Sequence, residues 1–106
     1  MIHRHILVTG ALLAAGTLPA PAHAQPAADV RTRSLAATCA TCHGTDGRAV
    51  QGETMVRLAG LPQEYIATQM RAFRDGRRPA TVMHQLAKGY SDAQIDAVAA
   101  YFAAVR

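Results

Sequence analysis

The chain has 106 residues, enough for a single domain, and half of them are hydrophobic. Eleven Lys and Arg against seven Asp and Glu give a formal charge of +4. These basic residues are dispersed and form no stripe interleaved with aromatics, which argues against nucleic acid as a partner and leaves room for a mildly positive face that docks an acidic protein.

Met1–His5 carries Arg4 and two histidines, and the stretch from Ile6 to Leu18 is apolar, broken only by Thr and Gly. Pro19 and Pro21 interrupt it, and Ala22-His23-Ala24 offers small residues at the two positions a signal peptidase reads. The pattern predicts a secretory signal peptide over residues 1–24, cleaved after Ala24. The apolar stretch is shorter than the roughly 18–20 residues that cross a bilayer. No second apolar segment follows, so the mature part, residues 25–106, is expected to be exported to the periplasm with no membrane anchor. Losing Arg4 leaves ten basic against seven acidic residues, a balance of +3.

Gln25–Ala28 reads as a leader. Asp29 is placed to cap a helix running through Leu35, Ala36 and Cys39 and ending near His43-Gly44. Residues 45–53 read as loop. Pro62 is predicted at the first position of a second helix that ends at Gly76. Glu64 in its first turn and Arg71 and Arg74 in its last suit the helix dipole. Ile66, Met70 and Phe73 recur on one face of it. Residues 77–89 read as a connection with a short helical turn after Thr81. Ser91 with Gln94 forms a capping-box pattern, followed by an apolar stripe of Ile95, Val98, Ala99, Phe102 and Val105. The expectation is an all-α domain of three main helices joined by long loops. A mature chain this short has little apolar volume of its own, and unpatterned loops of this length need something to organise them.

Cys39-Ala40-Thr41-Cys42-His43 supplies a candidate. The C-x-x-C-H spacing is that of covalent c-type haem attachment. Cysteines three apart share one side of a helical turn, so both thiols can reach the two vinyl groups of one porphyrin. The next residue, His43, can then place its imidazole under the iron. Attachment of this kind takes place outside the cytoplasmic membrane, which agrees with the export signal. The alternatives are weaker. A thioredoxin-type pair needs a βαβ setting, and no strand precedes Cys39. A zinc site needs more ligands than one cysteine pair supplies. A plain disulfide across two residues is strained.

A Met sulfur closes the other axial position in many electron-transfer cytochromes and raises the potential. Met70 lies on the apolar face with Ile66 and Phe73 and reads as packing. Met55 is only twelve residues past His43. Met83 sits in the non-periodic stretch between two helices, where a chain that has passed around the porphyrin would return, and is the preferred ligand. His84 is its rival, read otherwise as an exposed histidine on a docking face. Asp46, Asp75, Asp92 and Asp96 read as turn and cap residues, and Arg77 and Arg78 as surface charge available for docking.

The segments Cys39–Gly47, Leu58-Ala59-Gly60, Tyr65 with Phe73-Arg74-Asp75-Gly76, Arg78–Met83 and Lys88-Gly89-Tyr90-Ser91 together resemble the class I cytochrome c family. More narrowly, they are similar to the cytochrome subunit of flavocytochrome c sulfide dehydrogenase and related periplasmic cytochromes. The resemblance covers nearly all of residues 25–106. It implies a small cytochrome c-like fold around one covalent haem c. It further implies thioether bonds at Cys39 and Cys42, His43 as proximal and Met83 as distal iron ligand, and packing of the first helix on the last. Relatives often carry Pro two residues before the Leu-Ala-Gly, where its carbonyl steadies the proximal His; Val56 stands there instead, which suggests looser geometry. An FAD-containing sulfide dehydrogenase subunit is the partner the resemblance implies, so the chain would transfer electrons without being catalytic by itself. The competing readings are a free monohaem carrier serving another dehydrogenase or an oxidase, and a haem enzyme or gas sensor with an open iron.

Overall fold

A computed structural model describes residues 27–52 and 54–106. The predicted signal peptide and its cleavage point lie outside the described residues. Among the described residues the regular structure is entirely helical. Helix α1 spans Ala27–Ala37 and α2 spans Ala40–His43; a 3-10 turn follows over Thr45–Gly47. Helix α3 is Gln63–Arg74 and α4 is Met83–Leu86, with a second 3-10 turn at Ala87–Gly89, and α5 is Asp92–Ala104. No helix among these residues is long and apolar enough to cross a membrane.

Three boundaries differ from the sequence reading. Asp29 lies inside the first turn of α1 rather than capping it. The first helix stops at Ala37, because Thr38 turns its hydroxyl back onto the Leu35 carbonyl at 2.7 Å, and helix resumes only at Ala40. Pro62 is the residue before α3 rather than its first member, with an extended ψ of 135°. The capping box at α5 is complete: the Gln94 N–H donates to Ser91 Oγ at 3.2 Å and the Ser91 N–H donates to Gln94 Oε1 at 2.9 Å.

The core is built where α1 and α3 pack on α5. Ile95, Val98, Ala99 and Phe102 of α5 are buried against Ala36 of α1 and Ile66 and Ala67 of α3. The stripe read from the sequence therefore faces inward, except Val105, which is half-buried just past the helix end. Met70 and Tyr90 pack on the edge of this cluster. Nine apolar residues are buried among those described and five are alanines; only Phe102 and Ile95 are large and fully enclosed. So small a core supports the expectation that a bound group completes the interior.

Charge reinforces the α3–α5 contact. Arg71 reaches Asp92 at 3.2 Å and Asp96 at 2.6 Å, and Arg74 reaches Asp92 at 2.9 Å. Asp92 and Asp96 are thus cross-helix partners as well as first-turn acids. Arg71 and then Arg74 hydrogen-bond Asp92 and hold its carboxyl below the usual range; Arg77 and then Arg74 do the same for Asp75.

Candidate functional site

Cys39, Cys42 and His43 lie on one tight turn. The His43 and Cys42 amides both point to the Cys39 carbonyl, at 2.9 and 3.3 Å, so the turn is helical through the motif even though α1 has ended. The two cysteines are not joined to each other; Cys39 is half-buried and Cys42 exposed. Burial pushes the Cys39 thiol above its ordinary range and the neighbouring Cys42 adds to this, while the Thr38 hydroxyl 4.0 Å away pulls the other way.

The chain after His43 folds straight back under it. Gly44 has φ +78°, and a Cβ there would lie 3.0 Å from the Ala49 backbone nitrogen. That close approach lets the Ala49 amide donate to the His43 carbonyl at 2.8 Å. Gly47, at φ +69°, is more confined: a Cβ would lie 2.8 Å from both Leu58 and the Phe102 ring. Its carbonyl accepts from the Leu58 and Ala59 amides at 2.8 and 3.0 Å. These bonds bring residues 54–60 alongside the histidine.

The outcome is a defined imidazole. His43 Nδ1 lies 2.7 Å from the Val56 carbonyl oxygen. A carbonyl can only accept, so Nδ1 carries a proton, and in the neutral ring Nε2 then keeps its lone pair, the state required of a metal ligand. The looser geometry expected from Val in place of Pro is not found. The bond uses a backbone carbonyl, which any residue supplies, and the turns at Gly44 and Gly47 fix where that carbonyl sits.

The candidate distal ligands separate. Met55 precedes Val56, the residue that holds His43 from its Nδ1 side, so its backbone lies beside His43. Met70 packs against the core cluster. Met83 opens α4, half-buried, on a segment whose following turn buries Ala87 completely. His84 is not the exposed docking residue anticipated: it is half-buried and its Nδ1 is enclosed without a hydrogen-bond partner. Arg78 is also tied down, with its guanidinium 4.7 Å over the Phe73 ring and hydrogen-bonded to Gln69, whereas Arg77 is largely exposed and pairs with Asp75 at 3.0 Å.

Five of the seven exposed large apolar side chains among the described residues come from segments near His43 and Met83; Val30 and Tyr65 lie elsewhere. Val50, Met55 and Val56 follow His43, and Val82 and Leu86 bracket Met83. Two surface hollows, of about 500 and 730 Å³, lie elsewhere, between α1, the first 3-10 turn and α5. The donor set fits haem c: two thiols three residues apart, an imidazole with Nε2 available, a thioether on a separate segment, and apolar residues around both.

Residues 26–102 match the family model described as cytochrome c oxidase, cbb3-type, subunit III. The chain is 41% identical over 95 residues to the thiosulfate dehydrogenase electron acceptor of Thiomonas intermedia, covering 90% of this chain and 44% of that protein. It is 39% identical over 78 residues to the cytochrome subunit of sulfide dehydrogenase of Chlorobaculum tepidum, covering 74% and 69% respectively. Among solved structures, cytochrome c4 of Acidithiobacillus ferrooxidans superposes with a TM-score of 0.66 at 32% identity, over 74% of this chain and 51% of that one. The chain thus spans less than half of the Thiomonas relative and about half of cytochrome c4.

Proposed function

This chain belongs to the class I c-type cytochromes, in the family described as cytochrome c oxidase, cbb3-type, subunit III, and carries haem c covalently; from that premise we propose a periplasmic one-electron carrier with a closed iron site. Cys39 and Cys42 would hold the haem as thioethers, and His43 and Met83 would be the ligands to its iron. Bound there, haem c supplies an iron that gains or loses one electron without making or breaking a bond to substrate. The protein's own part is to hold that iron still. The Val56 carbonyl orients His43 and enriches its donor nitrogen, and the apolar residues of 50–56 and 82–86 keep water from the ring. The signal over 1–24 would deliver the chain to the compartment where such attachment occurs.

The observation that carries the haem-ligand part of this reading is the 2.7 Å bond from His43 Nδ1 to the Val56 carbonyl, which favours the tautomer an iron-binding histidine needs. A catalytic or gas-sensing haem would leave its sixth position open. Carbon monoxide mixed with the reduced protein, and cyanide with the oxidised protein, test the difference. A closed site gives slow, weak binding limited by loss of Met83. Rapid, stoichiometric binding at both oxidation states would overturn the closed-site reading.

The electron donor is proposed to be a dehydrogenase acting on a reduced sulfur compound, with an FAD-containing sulfide dehydrogenase subunit as the specific candidate. The names of the Chlorobaculum and Thiomonas relatives support the class. Thiosulfate dehydrogenase is the second reading, favoured by the 41% identity to its electron acceptor. Rapid-mixing reduction of the oxidised protein by each enzyme with its own substrate separates them. A saturable, salt-dependent rate with one enzyme only identifies the donor, and equal slow rates with both would remove both.

A further inference from the structure

The segment from Met83 to Gly89 carries the proposed distal ligand, and Tyr90 closes it. Tyr90 is bound on two sides. Its backbone carbonyl lies 3.5 Å from Arg74 Nη1 at the end of α3, and its phenol oxygen lies 2.8 Å from Thr38 Oγ1, across 52 residues of sequence. Thr38 immediately precedes Cys39. The direction of the phenol bond follows from proton counting. Thr38 has one hydroxyl proton and its oxygen sits 2.7 Å from the Leu35 carbonyl, which can only accept. Thr38 therefore donates to Leu35, and the Tyr90 O–H donates to Thr38. The end of α1, the cysteine turn and the methionine segment meet at this one hydroxyl pair.

We propose that Tyr90 is a positioning residue for Met83, its phenol anchoring the methionine-bearing segment to the residue beside the first haem-attachment cysteine and so holding the sulfur at the iron. The inference rests on the reading of Met83 as distal ligand. Within residues 83–90 the other short polar contacts are local: Gln85 and Leu86 amides to the Val82 carbonyl, and the Tyr90 amide to Ala87. They stabilise the segment's own shape, packing against α3 with Ala87 buried seats it on the helical frame, and the Thr38–Tyr90 bond ties it to the residue beside Cys39. Release of Met83 from iron requires the segment to move away from the ring. A bond made only in the seated arrangement opposes that movement by its full worth, because an equilibrium shifts only by the difference in interaction between its two states.

The test uses the oxidised holoprotein titrated with imidazole, which binds iron only after the methionine leaves. Removing one hydrogen bond should strengthen apparent imidazole binding about three- to tenfold. Tyr90→Phe and Thr38→Val should each show this increase, and the double variant should show no more than either alone. Tyr101→Phe serves as control: it removes a phenol hydrogen bond of similar kind, 2.6 Å to Asp46, that does not involve residues 83–90, and should leave imidazole affinity within about twofold. Unchanged affinity in Tyr90→Phe would overturn the proposal, as would an equal gain in Tyr101→Phe, which would reveal general loosening. Met83→Ala distinguishes the underlying reading, since it should bind imidazole far more tightly than any of these. If it does not, Met83 is not the ligand and both conclusions fall; if it does while Tyr90→Phe is silent, only the anchoring role falls.

Discussion

The helical pair α3–α5 and the loops that flank the cysteine turn are held by different kinds of force. The pair has its own reasons to exist: Ile66 and Ala67 bury against Ile95, Val98 and Phe102, a complete capping box starts α5, and Arg71 and Arg74 bridge to Asp92 and Asp96. The loops bury little of their own. Val50, Met55, Val56, Val82 and Leu86 stay exposed, and shape comes from glycines at positive φ and from backbone bonds such as those to the Gly47 carbonyl. The contrast shows a division of labour. The chain encodes a helical frame by side-chain packing and encodes the ligand-bearing loops by backbone geometry that a covalently bound apolar group can complete.

The largest expected effect comes from breaking that completion. Cys39→Ser combined with Cys42→Ser should abolish covalent haem and most of the cooperative fold. Hydrogen exchange should show protection lost first across 44–61 and 77–90, with α5 the most protected remnant. Uniform loss would deny the division. Next in size is Gly47→Ala. The added methyl meets Leu58 and Phe102 at 2.8 Å and also suffers the positive φ, so the holoprotein should lose about 2–4 kcal/mol by denaturant unfolding. Here the loop is joined to the frame, and both halves should weaken together.

The cross-helix charges act on the frame alone. Asp92 has its carboxyl depressed below its ordinary value near 3.8 by Arg71 and Arg74. A depressed folded value means that its contribution is complete above the unfolded value and is lost as pH falls below about 3.8 toward the lowered folded value. Asp92→Asn should therefore reduce thermal stability modestly from pH 5 to 8 and show a shallower acid decline than the parent. An identical decline in both would remove the network from the account. Smallest is Tyr101→Phe, which loses the bond to Asp46 and should cost under about 1 kcal/mol, leaving the visible spectrum of the haem unchanged.

Much of the frame was legible in the sequence because its signals are local. Ser91 with Gln94 and the spacing of Ile95, Val98, Ala99 and Phe102 lead directly to α5, and both terms are met in the fold. The cysteine motif was legible for the same reason. The break between Ala37 and Ala40 was not, because it depends on Thr38 choosing the Leu35 carbonyl, and nothing in the local pattern forbids the helix from continuing. The role of Val56 came from resemblance, but the tightness of its bond did not: it depends on how Gly44 and Gly47 turn the backbone, a matter of φ rather than of residue type alone. Long-range partners such as Arg71 with Asp96 and Tyr90 with Thr38 are distant in sequence and carry no periodic trace. Arg78 read as a free surface charge because the Phe73 face and Gln69 that hold it are brought together only by α3.

The most direct test of the proposed His43/Met83 ligation is the absorption spectrum of the purified holoprotein, oxidised and reduced, beside Met83→Ala, Met55→Leu and Met70→Leu. The account predicts a c-type reduced spectrum and a weak red sulfur-to-iron band in the oxidised parent, retained in the Met55 and Met70 variants and lost in Met83→Ala. A band that is missing from the parent, or that survives in Met83→Ala, would contradict it.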